Sequence, residues 1–252
     1  GTLTAVLDAA NSEQIAFTNT YSVGAEDLYL TGTKTLTGDW SAVPGSNKVF
    51  TFHILEGATI KSVGSADLRV SDTITFQKLT FTEAGVYNYT IVEVDNGSGG
   101  ITYSDKVYAL TVTVSDNGDG TLTAAYTVDG VARGDITFAN SYTTSPYRLS
   151  LVAHKNYKYQ NNNDKPLSGG EFKFRLTDVA GNVAVDQTKF NAANGSVTFD
   201  ELVFTQAGTY KLKLEEIDKL LGFIEYSQVT YEITVAVTDN GEGKLVGSYQ
   251  TE

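Results

Sequence analysis

The sequence predicts an all-β chain of tandem β-sandwiches. Three observations carry that reading: apolar and polar residues alternate with a period of two, turn-forming residues interrupt the alternation at short intervals, and the whole pattern comes round a second time. Successive side chains of a strand point to opposite faces, so Tyr87, Tyr89 and Ile91 face one way and Asn88, Thr90 and Val92 the other. Strand-like runs occupy residues 28–36, 49–55, 73–76, 87–93, 107–114, 122–128 and 136–142. They are rich in Val, Ile, Tyr, Phe and Thr, whose branched or flat side chains suit a pleated, half-buried surface. Gly, Asn, Asp and Ser fill the gaps, and Asp116-Asn117-Gly118-Asp119-Gly120 is a strong hairpin turn. Short strands at this density fit a sandwich. A helical pattern is confined to two short stretches, 186–193 and 215–221.

The repeat fixes the domain organisation. Ile74-Thr75-Phe76 and the residues through Ala84-Gly85-Val86-Tyr87 return as Val197-Thr198-Phe199 through Ala207-Gly208-Thr209-Tyr210. Tyr103 and Tyr108 return as Tyr226 and Tyr231, and the turn at 116–120 returns as Asp239-Asn240-Gly241-Glu242-Gly243. The offset is 123 positions in each case (197 − 74, 226 − 103, 239 − 116). Residues 25–144 thus form one complete unit and 145–252 a second, with a linker near Thr143-Thr144-Ser145-Pro146. Residues 1–24 resemble the last two strands of a unit, since Gly1-Thr2-Leu3-Thr4-Ala5 matches Gly120-Thr121-Leu122-Thr123-Ala124 and residues 15–21 match 136–142. The second unit lacks a counterpart of that final strand. Residues 15–21 are expected either to complete a sandwich by strand addition, in a neighbouring copy or by folding back, or to belong to a longer array.

Composition narrows the function. With 18 basic and 30 acidic side chains the formal charge is −12, which repels phosphate backbones and anionic lipid, so neither nucleic-acid binding nor membrane-surface binding is expected. No apolar run approaches the about 18 residues of a membrane-spanning helix. The absence of Cys removes disulfides, zinc–thiolate sites and cysteine nucleophiles together. His53 and His154 are the only histidines, too sparse for a Ser-His-Asp arrangement. The Asp-Asn-Gly-Asp-Gly turn lacks the spacing of a calcium-binding loop. No metal, cofactor or conventional enzyme activity is expected.

Polar residues stand where apolar ones belong. Leu28, Leu30, Gly32 and Lys34 share a face, as do Leu149, Leu151, Ala153 and Lys155 in the second unit. Tyr87, Tyr89, Ile91 and Glu93 share another, matched by Tyr210, Leu212, Leu214 and Glu216. On the last strand Ile136, Phe138 and Asn140 line up, matched by Ile15, Phe17 and Asn19. A charge at a strand end is ordinarily solvated, but Lys and Glu on core faces are almost never fully buried unless paired. The three can meet only if the first and last strands are neighbours. Desolvation favours the neutral form of both a lysine and a glutamic acid, so a neutral Lys amine can attack the Asn side-chain carbonyl while a protonated Glu hydrogen-bonds to and polarises it. Ammonia leaves, and a Lys–Asn isopeptide bond remains.

On these residues the chain resembles the isopeptide-linkage domain of Gram-positive, streptococcal-type major pilins, which is related to collagen-adhesin B-type stalk domains. The resemblance is carried by Thr33-Lys34, Gly85-Val86-Tyr87-Asn88-Tyr89-Thr90-Ile91-Val92-Glu93, the turn at 116–120, and Ile136-Thr137-Phe138-Ala139-Asn140-Ser141-Tyr142. It implies an immunoglobulin-like sandwich whose first and last strands are covalently joined, with Lys34 and Asn140 linked and Glu93 catalytic. In the second unit it implies Lys155 and Glu216, with Lys158 a competitor for Lys155 and with Asn19 the orphan asparagine that remains. The implied role is a structural section of an extracellular, cell-wall-anchored pilus or adhesin stalk, packed against neighbouring copies. An alternative is an adhesin that binds a host protein or glycan through the insertions 41–48, 57–72 and 157–165, since loops on a rigid scaffold carry recognition.

Overall fold

The computed structural model describes residues 1–2, 17–217 and 222–252, and all of its strands fall into two successive β-sandwiches. Residues 3–16, with most of the expected terminal strand pair, and 218–221, in the second expected helix, lie outside the described residues.

The first sandwich comprises β1 (Glu26–Leu28), β2 (Thr31–Thr37), β3 (Val49–Glu56), β4 (Thr59–Asp67), β5 (Thr73–Phe76), β6 (Leu79–Phe81), β7 (Gly85–Glu93), β8 (Ile101–Thr102), β9 (Val107–Asp116), β10 (Leu122–Val128), β11 (Val131–Ala132) and β12 (Thr137–Tyr142). Strand β1 pairs with β6, and the other ten form one sheet in the order β11-β10-β9-β7-β3-β4-β5-β2-β12-β8. That sheet folds over on itself. Phe138 of β12 packs 5.1 Å from the ring of Phe52 on β3 and 5.3 Å from that of Tyr108 on β9, although β12 and β3 stand four places apart in the sheet. The two layers enclose Phe50, Phe52, Ile54, Ile74, Ile91, Val112 and Phe138, all fully buried.

The second sandwich repeats this pattern with β13 (Tyr147–Leu149), β14 (Val152–His154), β15 (Lys173–Asp178), β16 (Asp186–Phe190), β17 (Ser196–Thr198), β18 (Leu202–Phe204), β19 (Gly208–Ile217), β20 (Thr230–Asp239) and β21 (Leu245–Thr251). Pairings β13–β18, β14–β17, β15–β19 and β19–β20 reproduce β1–β6, β2–β5, β3–β7 and β7–β9. Its core holds Phe172, Leu176, Val197, Phe204, Leu212 and Val235. Among the described residues it has no counterpart of β12.

Three expectations need correction. Residues 186–190 form strand β16 against β15, and 215–217 prolong β19. Pairing with a neighbouring strand satisfies the backbone there, and tertiary context overrides a weak local helical pattern. The stretch 57–72 is mostly strand β4, paired along its length with β3, so it is sheet and not a free recognition loop. Finally, the run 28–36 breaks at residues 29–30 so that β1 can pair with β6 while β2 joins the main sheet.

Candidate functional site

Strands β2 and β12 lie side by side and parallel, with Thr33 opposite Thr137, Lys34 opposite Phe138 and Leu36 opposite Asn140. The strand that carries Lys34 and the last strand of the unit are therefore neighbours, as the three polar residues require. Gly32 makes the approach possible, because a Cβ there would stand 2.7 Å from the carbonyl oxygen of Ile136. Tyr108 sets the register from the opposite layer. Its hydroxyl donates to the Thr137 carbonyl at 2.6 Å and accepts the Thr137 amide at 2.7 Å, three residues before Asn140.

This packing brings Lys34, Glu93 and Asn140 together in the core. Lys34 and the Glu93 side chain are 0% exposed, and Asn140 is 3% exposed. Lys34 Nζ lies 2.8 Å from Glu93 Oε1 and 3.1 Å from Oε2, and 4.7 Å above the Phe50 ring. Asn140 Nδ2 donates to Glu93 Oε1 at 2.8 Å. The Asn140 carbonyl oxygen is held by the backbone N–H of Ser104 at 2.9 Å, and that N–H also reaches Glu93 Oε2 at 3.2 Å. Burial pushes the Lys34 ammonium below its ordinary value, outweighing the hydrogen bond and charge of Glu93 that favour the proton.

The contacts divide the work differently from the sequence expectation. Glu93 faces the amide nitrogen of Asn140 and the amine of Lys34, while the carbonyl oxygen points to the Ser104 N–H. A backbone donor leaves no trace in residue identity. Tyr108 did leave one, its recurrence as Tyr231, which marks the repeat without revealing the role.

In the second sandwich Lys155 Nζ lies 2.9 Å from Glu216 Oε2 and 4.2 Å over the Phe172 ring. The Ser227 N–H approaches Glu216 Oε2 at 3.3 Å. Lys158 is not the lysine of this arrangement, for it is exposed and paired with Asp164 at 2.8 Å. Glu216 Oε1, the counterpart of the oxygen that accepts Asn140 in the first unit, is buried and has no hydrogen-bond partner among the described residues.

Asn19 does not supply that partner within the chain. Two residues beyond it, the Tyr21 hydroxyl bonds to Asp116 at 2.8 Å and receives the Gly120 N–H at 3.1 Å, fixing the segment to the first sandwich. Asn19 is exposed, and Phe17 beside it is 93% exposed. The intrachain pairing of Asn19 with Lys155 is thus corrected: the anchored tail carries the asparagine elsewhere.

Comparison with known proteins agrees with the repeat. The family model described as FctA, a Spy0128-like isopeptide containing domain, matches residues 30–143 and again 151–252. No curated protein sequence matches the chain. Among solved structures, the chain is similar to the T-13 major pilin of Streptococcus pyogenes at 20% identity, over 92% of each chain, with a TM-score of 0.37. It is similar to another major pilin of Streptococcus pyogenes at 16% identity, over 91% of each chain, with a TM-score of 0.34.

Proposed function

The chain belongs to the Spy0128-like isopeptide containing domain family, and on that premise we propose that it is a load-bearing section of a bacterial surface pilus whose first sandwich locks itself with a Lys34–Asn140 isopeptide bond. The observation that carries the reading is the buried meeting of Lys34, Glu93 and Asn140, delivered by the first, middle and last strands of one unit.

The chemistry follows from the contacts. Glu93 takes a proton from Lys34 Nζ, and the neutral amine adds to Asn140 Cγ. Negative charge develops on Asn140 Oδ1, against the Ser104 N–H. Glu93 passes its proton to Asn140 Nδ2 and takes one from the newly bonded nitrogen. The Cγ–Nδ2 bond breaks and ammonia departs, leaving an amide between Lys34 and Asn140 and one proton on Glu93. The first unit reacts once, and packing replaces substrate binding by holding the groups in contact.

The bond would sit where a fibre is loaded. Opposed tension on the ends of the unit pulls β2 and β12, which are parallel neighbours, past one another in shear. A covalent link between them takes the load before the sheet can unzip, in a chain that has no Cys for disulfides. The second sandwich carries the same lysine, glutamate, aromatic ring and backbone donor. It would react with an asparagine brought by a strand of the Ile-x-Phe-x-Asn pattern, and residues 15–21 of a neighbouring copy have that pattern. The setting is the outer face of a cell wall, and no helix among the described residues is long and apolar enough to cross a membrane.

Mass spectrometry of the intact, denatured chain tests the proposal. Loss of one ammonia is expected, with peptide mapping placing the link between Lys34 and Asn140. Covalent multimers would show that the second unit has reacted across copies. A mass equal to that of the plain sequence overturns the self-crosslinking mechanism.

A further inference from the structure

The junction between the two sandwiches is built from specific contacts. The hydroxyl of Tyr142, the last residue of β12, donates to Asp239 at 2.9 Å and accepts the Gly243 N–H at 3.0 Å. Both partners belong to the Asp-Asn-Gly-Glu-Gly turn of the second unit. Backbone bonds continue the contact, from Ser145 N–H to the Gly243 carbonyl at 2.9 Å and from Leu245 N–H to the Ser145 carbonyl at 3.0 Å. The surfaces meet at glycine on both sides. A Cβ on Gly243 would lie 2.4 Å from Gly100 Cα, and one on Gly100 would lie 2.5 Å from Gly243 Cα.

The same contacts occur one unit upstream. Tyr21 donates to Asp116 and accepts the Gly120 N–H, as Tyr142 does with Asp239 and Gly243. Gly24 N–H bonds to the Gly120 carbonyl at 2.9 Å, as Ser145 N–H does to that of Gly243. On the tyrosine side the offset is 121 positions (142 − 21, 145 − 24), and on the turn side it is 123 (239 − 116, 243 − 120).

We propose that the Asp-Asn-Gly-x-Gly turn of each sandwich is a socket for the closing tyrosine of the last strand that precedes it, so that successive units stack with one fixed geometry. The partner that fits the socket of the first sandwich is the end of a last strand reading Asn-(Ser/Thr)-Tyr, and Tyr21 occupies it. Asn140 lies two residues from Tyr142, so the socket grips the chain next to the reacting asparagine. The inference does not depend on whether Lys34 and Asn140 react, because each contact is non-covalent and outside that site.

The cysteine-free chain makes the test direct. Spin labels at Val70→Cys and Val179→Cys, exposed positions on the two sandwiches, report the inter-domain distance distribution by pulsed electron resonance. A narrow distribution is expected in the parent. Tyr142→Phe should broaden it toward the spread of about 10 Å that a free linker of residues 143–146 allows. Gly243→Ala, which drives a methyl into Gly100, should broaden it as well. Tyr29→Phe, a substitution away from the junction, should leave it narrow. Labels at Thr20→Cys and Val70→Cys read the upstream socket, where Tyr21→Phe should broaden the distribution. A parent distribution already broad, or one left narrow by Tyr142→Phe, overturns the proposal. Loss of ammonia, measured on the same samples, reports the Lys34–Asn140 reaction separately.

Discussion

The two sandwiches carry the same buried lysine–glutamate pair, yet among the described residues only the first has a last strand against it. In the first, β12 supplies Asn140 and every oxygen of Glu93 has a partner. In the second, Glu216 Oε1 is buried without one among the described residues. The difference spreads beyond the site. Tyr108 is 2% exposed beneath β12, whereas its counterpart Tyr231 is 50% exposed. Strand β2 runs on to Thr37 beside β12, whereas β14 ends at His154, just before Lys155. A last strand therefore does more than deliver an asparagine: it orders the far half of the first strand and closes the layer over the tyrosine.

The comparison can be broken most sharply at the glutamates. Glu93→Gln should abolish ammonia loss by removing the proton carrier, while Glu216→Gln should leave the mass change of the isolated chain as it is. Equal behaviour of the two variants in intact-mass spectra would erase the proposed distinction between the units.

Next in size is stability. Asn140→Ala should lower the unfolding free energy of the first sandwich, because the proposed link would close a loop of 106 positions (140 − 34). By analogy with disulfides the loss is about 4 to 5 kcal/mol. Denaturant titration followed by domain-specific probes should show the second sandwich unchanged. Gly32→Ala sharpens the same point from the approach of the two strands. Its methyl would press on the Ile136 carbonyl, so bond formation should slow, as followed by the time course of ammonia loss. The second unit already has Ala153 at the matching place.

Tyr108→Phe should cost about 1 kcal/mol for the lost hydroxyl bonds, and it should slow closure by loosening the register of β12. Tyr231→Phe, at an exposed hydroxyl, should do neither.

The smallest expected effect belongs to the second unit alone. Hydrogen bonds from Asn191 Nδ2 and from the backbone N–H groups of Ser168 and Gly169 hold the Glu171 carboxyl down at about 2, against 4.5 in a free chain. A lowered folded value means that the carboxylate stabilises the fold above pH 4.5 and that this contribution fades as pH falls toward 2. Solvent screening keeps the effect small. Glu171→Gln should flatten the acid limb of the second unit's melting profile and leave the first unit, which has Val49 at the matching position, untouched.

Much of this was written in the order of residues. Period-two alternation and Gly-Asn-Asp turns dictate an all-β chain, because a strand's side chains must alternate to bury one face. The 123-position repeat dictates two like units, and a lysine, a glutamate and an asparagine on core faces mark the site, because buried charge demands a partner. The tertiary structure alone decided the rest. Residues 186–190 became a strand once β15 offered them an edge. Which side of the Asn140 amide faces Glu93 depends on the Ser104 N–H, a backbone group that every residue but proline possesses. Asn19, equal to Asn140 in its sequence pattern, is carried away from Lys155 because Tyr21 finds its hydrogen bonds on the first sandwich. Sequence specifies which groups can react or pair; distance and burial, which exist only after the layers close, select the ones that meet.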